Sequence, residues 1–201
     1  MNEAKRTAQP RNDVTALILA GGEGRRLGGA DKGLIPIGGR PLVSHVCKAL
    51  QGQVGTLMIS ANRNLSAYRA LGYPVVTDEM PGHNGPLAGF LSGLRRVQTP
   101  FLLTVPCDAP RVAPDLVTRL LNALIASNAD VAVAHDGSRL QPVHALLNVR
   151  VLPNLEAFLN AGNRKVQHWI QTCRGVEVDF SDAAEYFRNV NTPGDYRGLD
   201  G

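Results

Sequence analysis

No apolar run in the sequence approaches the roughly 20 residues that a membrane-spanning helix needs. The first 13 residues are polar, carry Lys5, Arg6 and Arg11, and lack the apolar core of a secretory leader, so residues 1–13 read as a loose tail. Cysteine is scarce: Cys47, Cys107 and Cys173 are odd in number and far apart, with no Cys-x-x-Cys pair. That excludes a disulfide framework and suits the reduced thiols of a cytosol, so a soluble, cytoplasmic protein is expected. The five histidines show no metal-ligand spacing, and there is no His-Glu-x-x-His. Basic residues outnumber acidic ones by 21 to 17, but they are dispersed rather than clustered. A nucleic-acid face needs clustering, whereas an anionic small substrate needs only this modest excess. Linkers, repeats and low-complexity segments are also missing. One domain over residues 14–201 follows.

What is abundant is glycine, and it is concentrated in Leu19-Ala20-Gly21-Gly22-Glu23-Gly24-Arg25-Arg26-Leu27-Gly28-Gly29-Ala30-Asp31-Lys32-Gly33. This stretch leaves a short apolar run, residues 15–19, that reads as a buried strand. Backbone N–H groups of such a loop approach a polyphosphate with no side chain in the way. Arg25, Arg26 and Lys32 bring positive charge to the same segment. Two familiar phosphate loops do not fit. The dinucleotide fingerprint needs a third glycine where Leu27 stands, and the P-loop needs Gly-Lys followed by Ser or Thr. On glycine content alone, a basic surface turn remains an equal reading.

Along the chain, short apolar runs alternate with helical patterns, which predicts a mostly parallel sheet with helices on both faces. Strands are expected over residues 15–19, 56–61, 73–77, 101–105, 130–134 and 144–149. Helices are expected after Pro41, Pro86 and Pro114, with Leu152, Leu155 and Phe158 in a further helix and Trp169 and Ile170 in another. Ligands of open parallel sheets bind beyond the carboxyl ends of the strands. The glycine loop, Asn62, Asp78 and Asp108 occupy four such ends and converge if the strands are neighbours. Asp108 at a buried strand end is able to reach a metal held against a triphosphate, or to cap the turn before Pro110. Asn62 and Asp78 are each as readily turn or cap residues. Cys107 has no adjacent base and reads as a buried structural cysteine.

The string of Leu-Ala-Gly-Gly, two arginines, Leu-Gly-Gly and Asp-Lys-Gly resembles the signature loop of the molybdenum cofactor guanylyltransferases, members of the Rossmann-like nucleotidyltransferases. Gly22 directly after Gly21 leans toward the guanylyl branch, since relatives that transfer CMP or sugar-phosphate nucleotides tend to have Leu-Ala-Ala-Gly. The resemblance implies a single-domain α/β fold and GMP transfer from Mg-GTP to the terminal phosphate of molybdenum-molybdopterin, with pyrophosphate released. It implies GTP contacts from Leu19, Ala20, Gly21, Gly22, Lys32, Asn62, Asp78 and Asp108. Lys32 and Asp108, assisted by Arg26, take the catalytic roles, and Pro106-Cys107-Asp108 supplies the Mg²⁺ ligand Asp108. The molybdopterin side is assigned to Gly85, Pro86, Arg164, Lys165, Asn189 and Asn191, with His135-Asp136-Gly137 and Gln141-Pro142 nearby. Arg164 and Lys165 read equally as a solvated charge pair. GTP, molybdopterin and transient contact with cofactor-delivering proteins are the expected partners, with no nucleic acid and no membrane. Rival readings are a cytidylyl or sugar-phosphate transferase and a GTP-binding module that performs no transfer.

Overall fold

Strand β1 (Arg11–Leu19) lies at the heart of the sheet because Val14, Ala16, Leu17 and Ile18 are apolar on both of its faces and fully buried. The computed structural model describes residues 11–20, 31–79 and 85–190. β1 pairs in parallel with β4 (Val54–Ser60) on one side and β6 (Phe101–Pro106) on the other. With β5 (Val75–Val76), β7 (Val131–His135), β8 (Leu140–Asn148) and β9 (Gly175–Asp179), the sheet runs β5-β4-β1-β6-β8-β7-β9. β8 is antiparallel to both of its neighbours, and the other six strands are parallel. The expected mostly parallel sheet is therefore present, with one reversed strand that hydrophobic periodicity does not reveal.

Helices cover both faces. On one, α1 (Leu42–Leu50) and α4 (Leu116–Ala126) bury Val43, Val46, Leu50, Leu116, Leu120 and Leu124 against Ile18, Ile59 and Leu103. On the other, α3 (Pro86–Arg96), α5 (Leu152–Asn160) and α6 (Val166–Ile170) bury Leu87, Phe90, Leu155 and Trp169 against Leu17, Met58 and Leu147. Phe90 and Trp169 meet edge to face, with ring centroids 5.9 Å apart. Helix α3 sits very close to the sheet. A Cβ on Gly89 would lie 2.5 Å from Leu19 Cδ2 and 3.0 Å from Ser60 Oγ, so glycine here sets how near the helix comes to the ends of β1 and β4. Among the described residues, no helix is long and apolar enough to cross a membrane.

Some expectations shift. β1 begins at Arg11 rather than at residue 15: the Arg11 N–H donates to Gln53 O (3.0 Å), and its guanidinium binds the Asp13 carboxylate. Residues 11–13 thus lie in β1, and residues 1–10 lie outside the described residues. The strand expected over residues 73–77 contracts to Val75–Val76. β8 starts at Leu140, four residues earlier than the apolar run suggested, because its first half pairs with the end of β7. A small hairpin of β2 (Pro36–Ile37) and β3 (Arg40–Pro41) turns through Gly38 and Gly39, both at positive φ.

His144 on β8 is only 3% exposed and meets the Phe187 ring edge-on at 4.9 Å. Its Nε2 has no hydrogen-bond partner among the described residues, and burial lowers its pKa to about 3. The folded protein therefore keeps this ring neutral while the unfolded chain takes up a proton below about pH 6.5. Stability attributable to His144 is intact above that pH and is lost as the pH falls toward 3. Near pH 5 the loss amounts to about 2 kcal/mol. Chemical denaturation at about pH 8 and pH 5 is expected to show a drop that shrinks by this amount in His144→Leu. The same drop in both proteins would contradict the assignment.

Candidate active site

The register of the parallel strands brings four strand ends into one row. Leu19 pairs with Ser60 on one side and Pro106 on the other, and Ser60 pairs with Val76. Backbone bonds continue the ladder one step further: Ala20 N to Ser60 O (2.8 Å), Cys107 N to Leu19 O (3.0 Å) and Ala61 N to Val76 O (3.0 Å). Ala20, Asn62, Asp78 and Asp108 consequently leave the sheet at the same edge. Four parallel strands carry their polar termini to one crevice.

Two side-chain pairs join these ends. Lys32, in the 3₁₀ turn Lys32–Leu34, places Nζ 2.7 Å from Asp108 Oδ2 across 76 residues of sequence. Their side chains retain 16% and 20% exposure, enough for a ligand to reach them. Asp108 is tied by its backbone too, since its carbonyl accepts the Val190 N–H at 2.8 Å. Asn62 and Asp78 bind reciprocally: Asn62 Nδ2 donates to Asp78 Oδ2 (2.7 Å), and the Asp78 N–H donates to Asn62 Oδ1 (2.8 Å). Asp78 Oδ1 is buried without a hydrogen-bond partner among the described residues.

A third acidic residue, not singled out from the sequence, lies beside these pairs. Asp31 accepts from Tyr68 OH (2.6 Å) and Asn64 Nδ2 (3.0 Å), and Arg63 Nε lies 3.6 Å from its Oδ2. Its side chain is 4% exposed. Sequence offered only a weak signal, an acidic residue inside the glycine stretch and next to Lys32, where a solvated ion pair is the ordinary reading.

Of the other expected positions, Gly21, Gly22, Arg26 and Asn191 lie outside the described residues. Gly85 adopts φ +64° immediately before α3, with Pro86 as the first helical residue, both exposed at the helix N-terminus. Because Gly89 one turn later touches Leu19 and Ser60, this terminus stands near the row of strand ends. Arg164 donates from Nη1 to Leu159 O (2.8 Å) and Asn163 O (2.7 Å), closing the end of α5. It thus has a structural task in addition to the one expected of it. Lys165 is exposed just before α6, and Asn189 is exposed beside Val190. Asp136 shapes the β7–β8 turn, accepting from Ser138, the Arg139 N–H and Gln141 Nε2. Burial acts upward on this carboxyl, but those hydrogen bonds outweigh it and hold it well below the usual carboxylate range.

Cys107 is buried, as expected of a structural cysteine. Burial, then the charge of neighbouring Asp108, push its thiol far up against the opposing pull of Lys32. Burial likewise lifts Cys47 and Cys173 to about 11. For metals, no group of three or more His, Cys, Asp or Glu side chains forms a cage among the described residues. A lone carboxylate at a strand end suits a hard cation that completes its shell with substrate phosphates and water, and Asp108 fits that requirement.

Four parallel strand ends opening on one crevice, with the Lys32–Asp108 pair beside them, form the arrangement of the Rossmann-like nucleotidyltransferase class. A family model described as a MobA-like NTP transferase domain matches residues 16–177, and the chain belongs to that family. It is 50% identical over 187 residues to a molybdenum cofactor guanylyltransferase from Cupriavidus necator, covering 90% of this chain and 94% of the relative. A protein of the same name from Bordetella petrii is 50% identical over 186 residues, with the same coverage. The molybdopterin-guanine dinucleotide biosynthesis protein A of Archaeoglobus fulgidus has the same fold. It superposes with a TM-score of 0.76 at 20% identity, covering 92% of this chain and 96% of that one.

Proposed function

We propose that this chain transfers GMP from Mg-GTP to the terminal phosphate of molybdenum-molybdopterin, giving the guanine dinucleotide cofactor and pyrophosphate. The observation that carries the reading is the Lys32–Asp108 contact at the end of β6, directly beside the strand end from which the glycine stretch departs. The names of the relatives at 50% identity support GTP as donor and molybdopterin as acceptor.

The reaction forms a bond between an acceptor phosphate oxygen and the α-phosphorus of GTP and breaks the bond from that phosphorus to the bridging oxygen. A phosphate monoester has its second pKa near 6, so the attacking oxygen is already ionised at neutral pH. No general base is needed, in keeping with the protonated thiol of Cys107. The difficulty is bringing two polyanions together. Lys32 contributes a mobile point charge to the phosphates. Leu19, Ala20, Gly21 and Gly22 offer backbone contacts to the nucleotide, Asn62 and Asp78 line its site, and Arg26 assists Lys32. Asp108 would hold a magnesium ion, which when bound would supply Lewis-acid stabilisation of the charge on the leaving pyrophosphate. Gly85 and Pro86, at a helix terminus that favours anions, are assigned to the acceptor side together with Lys165, Arg164, Asn189 and Asn191.

GTP labelled in its α-phosphate, incubated with magnesium and molybdenum-molybdopterin, is expected to pass its label to the cofactor with one pyrophosphate released per transfer. CTP is expected to transfer poorly. Label transfer from CTP in preference to GTP would move the protein to the cytidylyl reading. Tight GTP binding with no pyrophosphate release would make it a binding module.

A further inference from the structure

We infer that Asp31, clamped by Tyr68 and Asn64, is the positioning residue that aims Lys32 at the phosphates, an assignment that rests on the transferase reading above. Asp31 and Lys32 are adjacent in sequence, yet they part company in space. The Asp31 carboxylate turns into the segment around α2 (Leu65–Arg69), and the Lys32 ammonium turns to the end of β6. A lysine side chain is long and flexible and loses rotamer freedom wherever it is held, so its aim depends on a fixed backbone. Here the backbone is fixed at once upstream of the lysine. The Asp31 carbonyl accepts the Leu34 N–H (3.0 Å), while both of its carboxylate oxygens are held by donors.

The clamp is itself rigid. Tyr68 is fully buried, and burial, together with the charge of Asp31, pushes its phenol far up, so the hydroxyl stays a donor. Gly33 leaves room for it: a Cβ there would stand 2.5 Å from the Tyr68 hydroxyl oxygen and drive it off Asp31. Asn64 lies two residues after Asn62, which grips Asp78. One short segment therefore ties the Lys32 turn to the second pair of the site. An aspartate serving only to fill a buried polar site would not need its neighbour to complete a contact at the far side of the crevice.

The test is a double-mutant cycle between the clamp and the lysine. Tyr68→Phe removes one oxygen and is expected to lower kcat for GMP transfer about tenfold, with Asp31→Asn lowering it further. In a Lys32→Ala background, Tyr68→Phe is expected to cost less than about twofold, because the group it acts through is gone. A tenfold loss in both backgrounds, or unchanged kcat in the single variant, overturns the proposal. Crystal structures of Tyr68→Phe and Asp31→Asn give a readout that needs no turnover: Lys32 Nζ is expected to leave Asp108 Oδ2. Retention of the 2.7 Å contact in both also overturns it. If Asp31→Asn does not fold, Tyr68→Phe decides alone. A wild-type protein that transfers no GMP defeats the transferase reading instead, and the crystallographic comparison still judges the clamp.

Discussion

Asp108→Asn is expected to slow GMP transfer about 1,000-fold, or ~4 kcal/mol of transition-state stabilisation, while the protein remains folded. The substitution keeps the size of the side chain and removes only its charge and one acceptor oxygen. The backbone role of Asp108 survives, since its carbonyl still receives the Val190 N–H. What disappears is the negative charge proposed to hold the divalent ion at the end of β6, together with the ionic partner of Lys32. Turnover at saturating GTP and molybdopterin, followed by pyrophosphate release, measures the loss. A thermal melt within a few degrees of wild type shows that the fold is intact. Excess magnesium is expected to rescue little if Asp108 holds the ion as proposed, because a neutral amide is a poor substitute for a carboxylate ligand. Wild-type turnover by Asp108→Asn would remove this residue from the mechanism.

Lys32→Ala is expected to reduce turnover by about 100-fold, or ~3 kcal/mol. The acceptor phosphate and the triphosphate repel each other, and the ammonium is a charge already present before either arrives. That charge is paired with the Asp108 carboxylate at 2.7 Å. Lys32→Arg is expected to restore only part of the rate. A planar guanidinium delivers its donors in a fixed fork, whereas a compact ammonium reorients as the phosphates move. Single-turnover kinetics separate the chemical step from binding. Unchanged kinetics in Lys32→Ala would place the residue on the solvated surface.

The halves of the site differ in how openly the sequence displays them. Asn62, Asp78 and Asp108 were legible because each follows an apolar run, and an apolar run that ends in a polar residue marks where a buried parallel strand emerges. Parallel register then does the rest, since Leu19, Ser60, Val76 and Pro106 fall in one row. The reversal of β8 was not legible: its core residues Ala145, Leu146 and Leu147 have the same apolar character in either direction. Asp31 escaped notice because its partners Asn64 and Tyr68 lie 33 and 37 residues away, and nothing local marks a carboxylate that is buried by distant groups. Arg164 illustrates the opposite limit. A basic pair before a helix looks like an anion contact, yet its guanidinium also closes the preceding helix, a use that only the fold discloses.

The bond from the Val190 N–H to the Asp108 carbonyl has a bearing on biosynthesis. Strand β1 must wait for β6, whose paired residues lie 87 positions downstream, before it gains its second neighbour, and such distant pairings form late. The backbone of Asp108 waits longer still, for Val190, a further 82 residues along the chain. A growing polypeptide on the ribosome therefore lacks the completed Asp108 anchorage until the stretch reaching Val190 has emerged and docked. Any nascent chain halted before Val190 would lack this tie at the strand end that carries Asp108.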